Sequence, residues 1–372
     1  MFSFEIGHKG KGTRGRIGKI VTAHGTIDTP AFMPVGTQGT VKGITPEELS
    51  KLGAQIVLAN TYHLFLRPGH KRIQELGGLH RFMHWDGPIL TDSGGYQIFS
   101  LADLRRRFTD EGVEFQSHIN GGQHHFLTPE LAIEIQEALG SDIMMVLDEC
   151  TPYPADEPVA RKSMELSLKW AARCLAARRS KNALFGIVQG GMHPGLRREY
   201  IDRIQAHDFD GLGIGGLSVG EPTDLMYEMV SVCTELLAED RPRYLMGVGT
   251  PENIIECIDL GIDLFDCVMP TRHGRHGSLF TSMGDINIDN SRFADDQGPI
   301  DEGCQCYTCQ NYSRAYLHHL VLAREMLGPR LGTLHNLHFY LDLISRASLA
   351  LREDRYSEFK ENFLSRRKES VC

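Results

Sequence analysis

The sequence predicts a (β/α)8 barrel, an α/β fold in which eight parallel strands alternate with helices and close on themselves. Three observations carry this expectation. Eight short apolar runs recur along the chain, ending in small or chemistry-bearing residues. Capped helical stretches separate several of them, which is the strand–helix alternation of a parallel barrel. The length of 372 residues suits two or three average domains or one large domain with insertions, and the barrel takes the second form.

The runs are Ala31–Val35, Gln55–Ala59, Pro88–Leu90, Ile143–Leu147, Leu184–Val188, Gly211–Ile214, Tyr244–Val248 and Leu264–Val268. Helix starts are written in the sequence. Thr45-Pro46-Glu47-Glu48 combines an N-cap threonine, proline at the first helical position and glutamate at the third. Thr128-Pro129-Glu130 and Thr250-Pro251-Glu252 open two more helices, and Pro158–Arg179 carries apolar residues at helical spacing. Three segments fall outside the eight units. Residues 1–30 read as short strands forming a small antiparallel sheet that caps the barrel bottom. Residues 98–127, with alternating VEFQSHI and a Gly121-Gly122 turn, read as an inserted hairpin. Residues 277–335 interrupt the last βα unit.

Composition excludes some classes. Apolar residues make up 41% and charged residues 23%, so the chain is neither disordered, collagenous nor one long coiled coil. No stretch reaches the roughly 18–20 apolar residues that span a bilayer, and MFSFEIGHKGKG lacks the apolar core of a signal peptide. A cytoplasmic protein with no membrane partner is expected. Six cysteines (150, 174, 233, 257, 267 and 372) are scattered and read as reduced core residues. The net charge of −9 argues against nucleic acid on the whole-chain number alone. Binding depends on local patches, however, and Arg105–Arg107, Arg178–Lys181 and the segment from Thr271 to His276 are basic clusters.

Barrel chemistry sits at the C-terminal ends of the strands. There the runs lead into Asp92-Ser93-Gly94-Gly95-Tyr96-Gln97, Asp148-Glu149-Cys150, Gln189-Gly190-Gly191 and Gly215-Gly216-Leu217-Ser218, and the eighth contains Asp266. A closed barrel turns Asp92, Asp148, Gln189, Gly216 and Asp266 toward one mouth. Three carboxylates in one mouth repel one another and are costly to desolvate, so a purely structural role does not explain them. No P-loop is present, and the two GxGxxG strings, Gly10–Gly15 among the N-terminal short strands and Gly211–Gly216 in the sixth run, do not open a helical stretch, so no dinucleotide site is implied. Carboxylates beside amide and glycine groups suit glycosyl chemistry on a planar heterocycle.

Cys304-x-Cys306-x2-Cys309 is a compact thiolate trio, and His335 follows 26 residues after it. Three thiolates and one imidazole form a closed tetrahedral set for a structural zinc. His318, His319 and His338 compete with His335 for the fourth position.

Taken together, NTYHLFLRPG (60–69), LTDSGGYQIFSL (90–101), SDIMMVLDEC (141–150), FGIVQGG (185–191), GIGGLSVGE (213–221), YLMGVGTPE (244–252), LFDCVMPTR (264–272) and CQCYTC with His335 resemble the bacterial tRNA-guanine transglycosylase family. These stretches run through nearly the whole chain in family order. The resemblance implies a barrel with an inserted zinc subdomain and one structural Zn2+ per subunit, held by Cys304, Cys306, Cys309 and His335. It implies exchange of guanine at wobble position 34 of G-U-N anticodon tRNAs for preQ1 (7-aminomethyl-7-deazaguanine), a step of queuosine biosynthesis. By the same resemblance Asp266 is the nucleophile and Asp92 the general acid/base. Tyr96 and Met246 sandwich the base, while Asp148, Cys150, Gln189, Gly216, Leu217 and Val219 line its pocket. Cys150 and Val219 are what bacterial members carry, and Val219 would crowd the bulkier base queuine. Thr271, Arg272 and Arg275 are implied to meet anticodon phosphates. A homodimer is also implied. Tyr312, Tyr316, His318 and His319 read equally as an exposed patch or as a stripe facing the core. Two other readings compete: a non-catalytic RNA-binding relative, and a metal-dependent barrel hydrolase centred on the cysteine trio. Having both Asp92 and Asp266 weighs against the first, and a closed ligand set weighs against the second.

Overall fold

The computed structural model describes residues 2–100, 107–119 and 121–368. Arg105 and Arg106 of the first basic cluster, and Cys372, lie outside the described residues.

The chain opens with β1 (Ser3–Lys9), β2 (Arg16–Thr22) and β3 (Gly25–Thr29), an antiparallel sheet. The eight apolar runs then form β4 (Ala31–Gly36), β5 (Val57–Ala59), β6 (Ile89–Thr91), β10 (Ile143–Met145), β11 (Ala183–Val188), β12 (Gly211–Ile214), β13 (Arg243–Leu245) and β14 (Leu264–Cys267). All eight pair in parallel in chain order, and the barrel closes where Leu264 meets Ala31 in the β14–β4 register. Most strand residues are buried, as expected for a sheet with a filled interior and helices outside.

The helix starts match the sequence. Helix α1 (Pro46–Lys51) has the full capping box, with Thr45 and Glu48 each accepting from the other's backbone N–H. After β5 come α2 (Thr61–Leu66), α3 (His70–Glu75) and α4 (Gly78–Met83), and α5 (Gly95–Ser100) follows β6. The insertion contains β7 (Arg107–Phe108), β8 (Val113–Gln116) and β9 (His124–Leu127). It is a three-stranded sheet, not a two-stranded hairpin, and Ile98–Ser100 belong to α5. The third strand is only two residues long, too short to show a period of two in sequence. Helices α6 (Pro129–Leu139) and α10 (Pro251–Asp259) begin at Thr128 and Thr250, whose hydroxyls accept from Leu131 and Asn253 N–H. Between them run α7 (Glu157–Ala177), α8 (Pro194–Ile204) and α9 (Thr223–Leu236).

The N-terminal sheet covers the barrel bottom by two polar ties. Arg16 on β2 donates twice to Asp263, just before β14, at 2.9 and 2.6 Å, and the pair is 3% and 0% exposed. His24 reaches Asp142, just before β10, at 2.8 Å. Asp263 also accepts from Arg243 N–H at 2.7 Å. Removing one partner of a buried pair strands the other charge. Arg16→Ala is therefore expected to lower stability by about 3–5 kcal/mol in urea unfolding. A loss under about 1 kcal/mol would mean that water reaches Asp263.

After β14 the chain forms α11 (Met269–Arg275), β15 (Ser278–Thr281), β16 (Gly284–Asn287), α12 (Tyr307–Asn311), α13 (Arg314–Leu322), α14 (Leu327–Arg352) and α15 (Tyr356–Lys368). Helices α11 and α14 touch backbone to backbone. A Cβ on Gly274 would lie 2.6 Å from Thr333 N, so only glycine permits the crossing. Asn336 on α14 ties this corner together, donating to Pro270 O and Ser278 O and accepting from Phe280 N–H. Of the α13 group, His318 is buried with Nδ1 2.7 Å from Ile288 O, whereas Tyr316 and His319 are exposed and Tyr312 is half-buried. The helix is thus part core stripe and part surface. Cys150, Cys174, Cys233, Cys257 and Cys267 are all buried and free. No helix among the described residues is long and apolar enough to cross a membrane.

Candidate active site

The strand ends bring Asp92, Asp148 and Asp266 together at one mouth. Asp92 and Asp148 are buried and Asp266 is half-buried. Asp92, just after β6, is held by three donors. Asn60 Nδ2 (2.5 Å) and Gln97 Nε2 (2.8 Å) reach Oδ2, and Thr61 N–H (2.8 Å) reaches Oδ1. Burial nevertheless pushes its carboxyl up to about 6, with the charge of Asp266 adding to the rise. Asp148 follows β10 and accepts from Gln189 Nε2 at 2.6 Å. It too is pushed up to about 6 by burial, with Asp92 contributing. Asp266 on β14 takes both its donors on one oxygen: Tyr244 O–H at 2.6 Å and Gly247 N–H at 2.7 Å reach Oδ1. Burial raises its pKa, while those two donors favour the anion. Oδ2 has no protein donor among the described residues.

These shifts have a testable consequence. Asp92 and Asp148 bind protons more tightly folded than unfolded, where the value is near 3.8. Folding then takes up protons between about pH 4 and 6, so stability falls as pH rises through that window and levels off above it. Going from pH 5 to pH 7, the parent is expected to lose more stability in urea unfolding than Asp148→Ala does. Equal losses in both would place the Asp148 titration elsewhere.

The rest of the mouth is built from the adjoining loops. Tyr96 on α5 is 51% exposed, and partial desolvation on its protein-facing side, with the nearby Cys150 and Asp266, raises its phenol. Met246 is half-buried directly after β13. Cys150 is buried, and its thiol is pushed up to about 12, mainly by burial. Leu217 is buried, and Glu221 accepts from Ser218 N–H and from Val219 N–H (2.8 Å), folding that loop on itself. Gly216 has φ +65°, a conformation that favours glycine, and a Cβ there would press to 2.5 Å from Gln189 Oε1.

Helix α11 starts three residues after Asp266. Arg272 is exposed, and half-buried Arg275 donates to Thr271 O at 2.8 Å. Thr271 itself is buried, with its hydroxyl on Val268 O. His273 stacks on Phe280 with ring centroids 5.4 Å apart, and burial lowers its pKa, so its charge arrives below the ordinary value of 6.5.

The cysteine trio and His335 form a separate centre. Cys304, Cys306 and Cys309 Sγ lie 3.7, 3.4 and 3.3 Å from His335 Nδ1. Ligands at zinc–sulfur and zinc–nitrogen distances on a tetrahedron sit about 3.3–3.8 Å apart, so the four atoms fit that ion. His335 donates its other ring nitrogen to Phe280 O at 2.7 Å, which fixes the tautomer. His338 approaches only Cys304, at 3.6 Å; His318 is turned to Ile288 O and His319 outward.

Several residues of the mouth were absent from the expected site. Asn60 directly follows the second apolar run and satisfies the same strand-end rule that picks out Asp92. Gln97 stands in the quoted Asp92–Gln97 stretch. Tyr244 opens the seventh run, where a strand tyrosine carries no local mark. Arg197 lies on the buried face of α8 with Tyr200, Ile201 and Ile204, a charge on an apolar stripe.

Comparison with known proteins places the chain in a family. The sequence model of a family described as queuine tRNA-ribosyltransferase matches residues 11–369. A queuine tRNA-ribosyltransferase of Caldanaerobacter subterraneus is 56% identical over 365 residues, covering 98% of this chain and 97% of that protein. One from Desulforudis audaxviator is 57% identical over 364 residues, covering 97% of each chain. One from Staphylococcus aureus is 54% identical over 355 residues, covering 95% and 93%. With the family model spanning nearly its whole length and relatives this close, the chain belongs to the queuine tRNA-ribosyltransferase family.

Proposed function

We propose that this protein is a tRNA-guanine transglycosylase, a pentosyltransferase that exchanges guanine 34 of G-U-N anticodon tRNAs for preQ1 through a covalent Asp266–ribose ester. The observation that carries the reading is the grouping of Asp92, Asp148 and Asp266 at one barrel mouth in a chain of this family. Asp266 Oδ2, free of protein donors among the described residues, attacks C1′ of the ribose. The C1′–N9 bond breaks, its electron pair leaves with guanine, and Asp92 in its acid form supplies the proton. The incoming base then gives its N9 proton to the Asp92 carboxylate. Its nitrogen displaces Asp266 from C1′, and two inversions retain the configuration. One N-glycosidic bond replaces another, so no energy source is needed.

Tyr96 and Met246 are proposed to sandwich the base, and Asp148, Gln189 and Gly216 to read its edge. The Leu217 carbonyl would accept from the aminomethyl group, with Cys150 and Val219 setting pocket size. Arg272 and Arg275, at the start of the segment after Asp266, would hold phosphates, with Thr271 shaping the turn beneath them. Cys304, Cys306, Cys309 and His335 would hold one zinc, which ties the segment after α11 to α14. The exposed aromatic surface around Tyr307 and Tyr316 would meet a second copy in a cytoplasmic homodimer. The test is incorporation of labelled guanine into a G-U-N tRNA beside the same tRNA with adenine at position 34. Label in the first only is the expected result. Label in neither, with tRNA still bound, would favour a non-catalytic RNA-binding protein.

A further inference from the structure

Arg197 is fully buried, yet no carboxylate lies within ion-pair distance of it among the described residues. Burying a guanidinium without a counter-charge is expensive, so its contacts need a reason. It spends its donors on backbone. Nε donates to Gly191 O at 2.8 Å and Nη2 to Gly215 O at 3.1 Å, while Nη1 points at Cys233 Sγ at 3.8 Å. These two carbonyls belong to the two loops that carry Gln189 and Gly216.

The Gly215 carbonyl and the Gly216 N–H are the two ends of one peptide group. Gly216 is buried, and its N–H has no acceptor among the described residues. Gln189 Oε1, against which Gly216 packs, is also buried without a partner. Buried backbone N–H groups are nearly always paired, so an orphan beside a second orphan marks a place for a ligand. A cation on the carbonyl end polarises the peptide and strengthens the N–H at the other end, because hydrogen bonds in series reinforce one another.

We infer that Arg197 is a positioning residue for base recognition: acting through the Gly215–Gly216 peptide, it aims and strengthens the Gly216 N–H toward the exocyclic 6-oxo oxygen of the bound base. The inference rests on the proposed base exchange. It assigns to Arg197 the preference for a 6-oxopurine over a purine with no acceptor at that edge. The same N–H would stabilise negative charge spreading onto that oxygen as the base departs.

The test compares guanine with 2-aminopurine, which lacks the 6-oxo group. Equilibrium binding of both to the zinc-loaded parent and to Arg197→Met is measured by dialysis, with melting temperatures recorded. Guanine affinity is expected to fall about tenfold and 2-aminopurine affinity by less than about threefold. A merely structural role would weaken both alike, and that result would overturn the inference. Arg197→Lys keeps a buried cation but cannot bridge both carbonyls, so it should shift the same ratio in the same direction by a smaller factor. An unchanged ratio in a folded lysine variant, or failure of both variants to fold, would make Arg197 structural and overturn the inference. If the parent binds neither base, the base-exchange reading falls and takes this inference with it. Equal losses in the variants would sink only the role of Arg197.

Discussion

Asp266→Ala is expected to lower guanine exchange by at least about 10⁴-fold while the protein stays folded, since nucleophile removal commonly costs that much or more. The fold should survive because two effects oppose. The variant loses the acceptor of Tyr244 O–H and Gly247 N–H. It also sheds a carboxylate whose pKa burial has raised, one that costs stability when ionised. Mass spectrometry of acid-quenched reactions provides the second readout. The parent with tRNA should carry a covalent nucleic-acid adduct, and the variant none, even where gel shifts show equal tRNA binding. Residual exchange within tenfold of the parent would remove Asp266 from the nucleophile's role and leave Asp92 and Asp148 as the remaining carboxylates of the mouth.

The second large effect is expected at the metal centre. Cys306→Ala, or zinc removal by a strong chelator, should drop the melting temperature by more than about 10 °C, because structural zinc supplies folding free energy directly. Activity should be lost along the same curve. The structural path is short. His335 and Asn336 are neighbours on α14, and Asn336 holds Pro270 O at 3.1 Å, four residues after Asp266. Releasing His335 from the thiolates loosens the helix that packs on α11 at Gly274. Chelation that abolished exchange while leaving the melting curve unchanged would point instead to a metal that works on substrate.

The cost of bringing the carboxylates together is visible in the pH window argued above. Asp92 and Asp148 are both pushed up to about 6, so at neutral pH the folded protein holds charges that burial disfavours. The donors around them, Asn60, Thr61, Gln97 and Gln189, limit that cost without removing it. Carboxyls raised toward neutrality are suited to proton transfer, which the role proposed for Asp92 would use.

Much of the molecule was legible in sequence because it is specified locally. A strand of three to six apolar residues, a threonine cap with proline behind it and a CxCxxC spacing are each decided within a few residues. So the eight strands, the caps at Thr45, Thr128 and Thr250, and the cysteine trio could be read directly. Asp92, Asp148 and Asp266 were legible one step further, since barrel closure follows from strand count and places strand ends on one face. The third strand of the insertion was not, because Arg107–Phe108 is too short to carry a pattern.

By itself the sequence determined the barrel, the strand ends that share its mouth and three members of the Cys3His set. Only the tertiary structure decided which histidine completes the set. His318 and His335 both stand within reach in sequence, but one ring turns to Ile288 O and the other to the thiolates. It alone also decided that Tyr244 serves Asp266 and that Arg197 joins the loops of Gln189 and Gly216. The physical reason is the same in each case. Hydrogen bonds of this kind depend on where a side chain points once helices and strands distant in sequence are packed, and no local pattern encodes that direction.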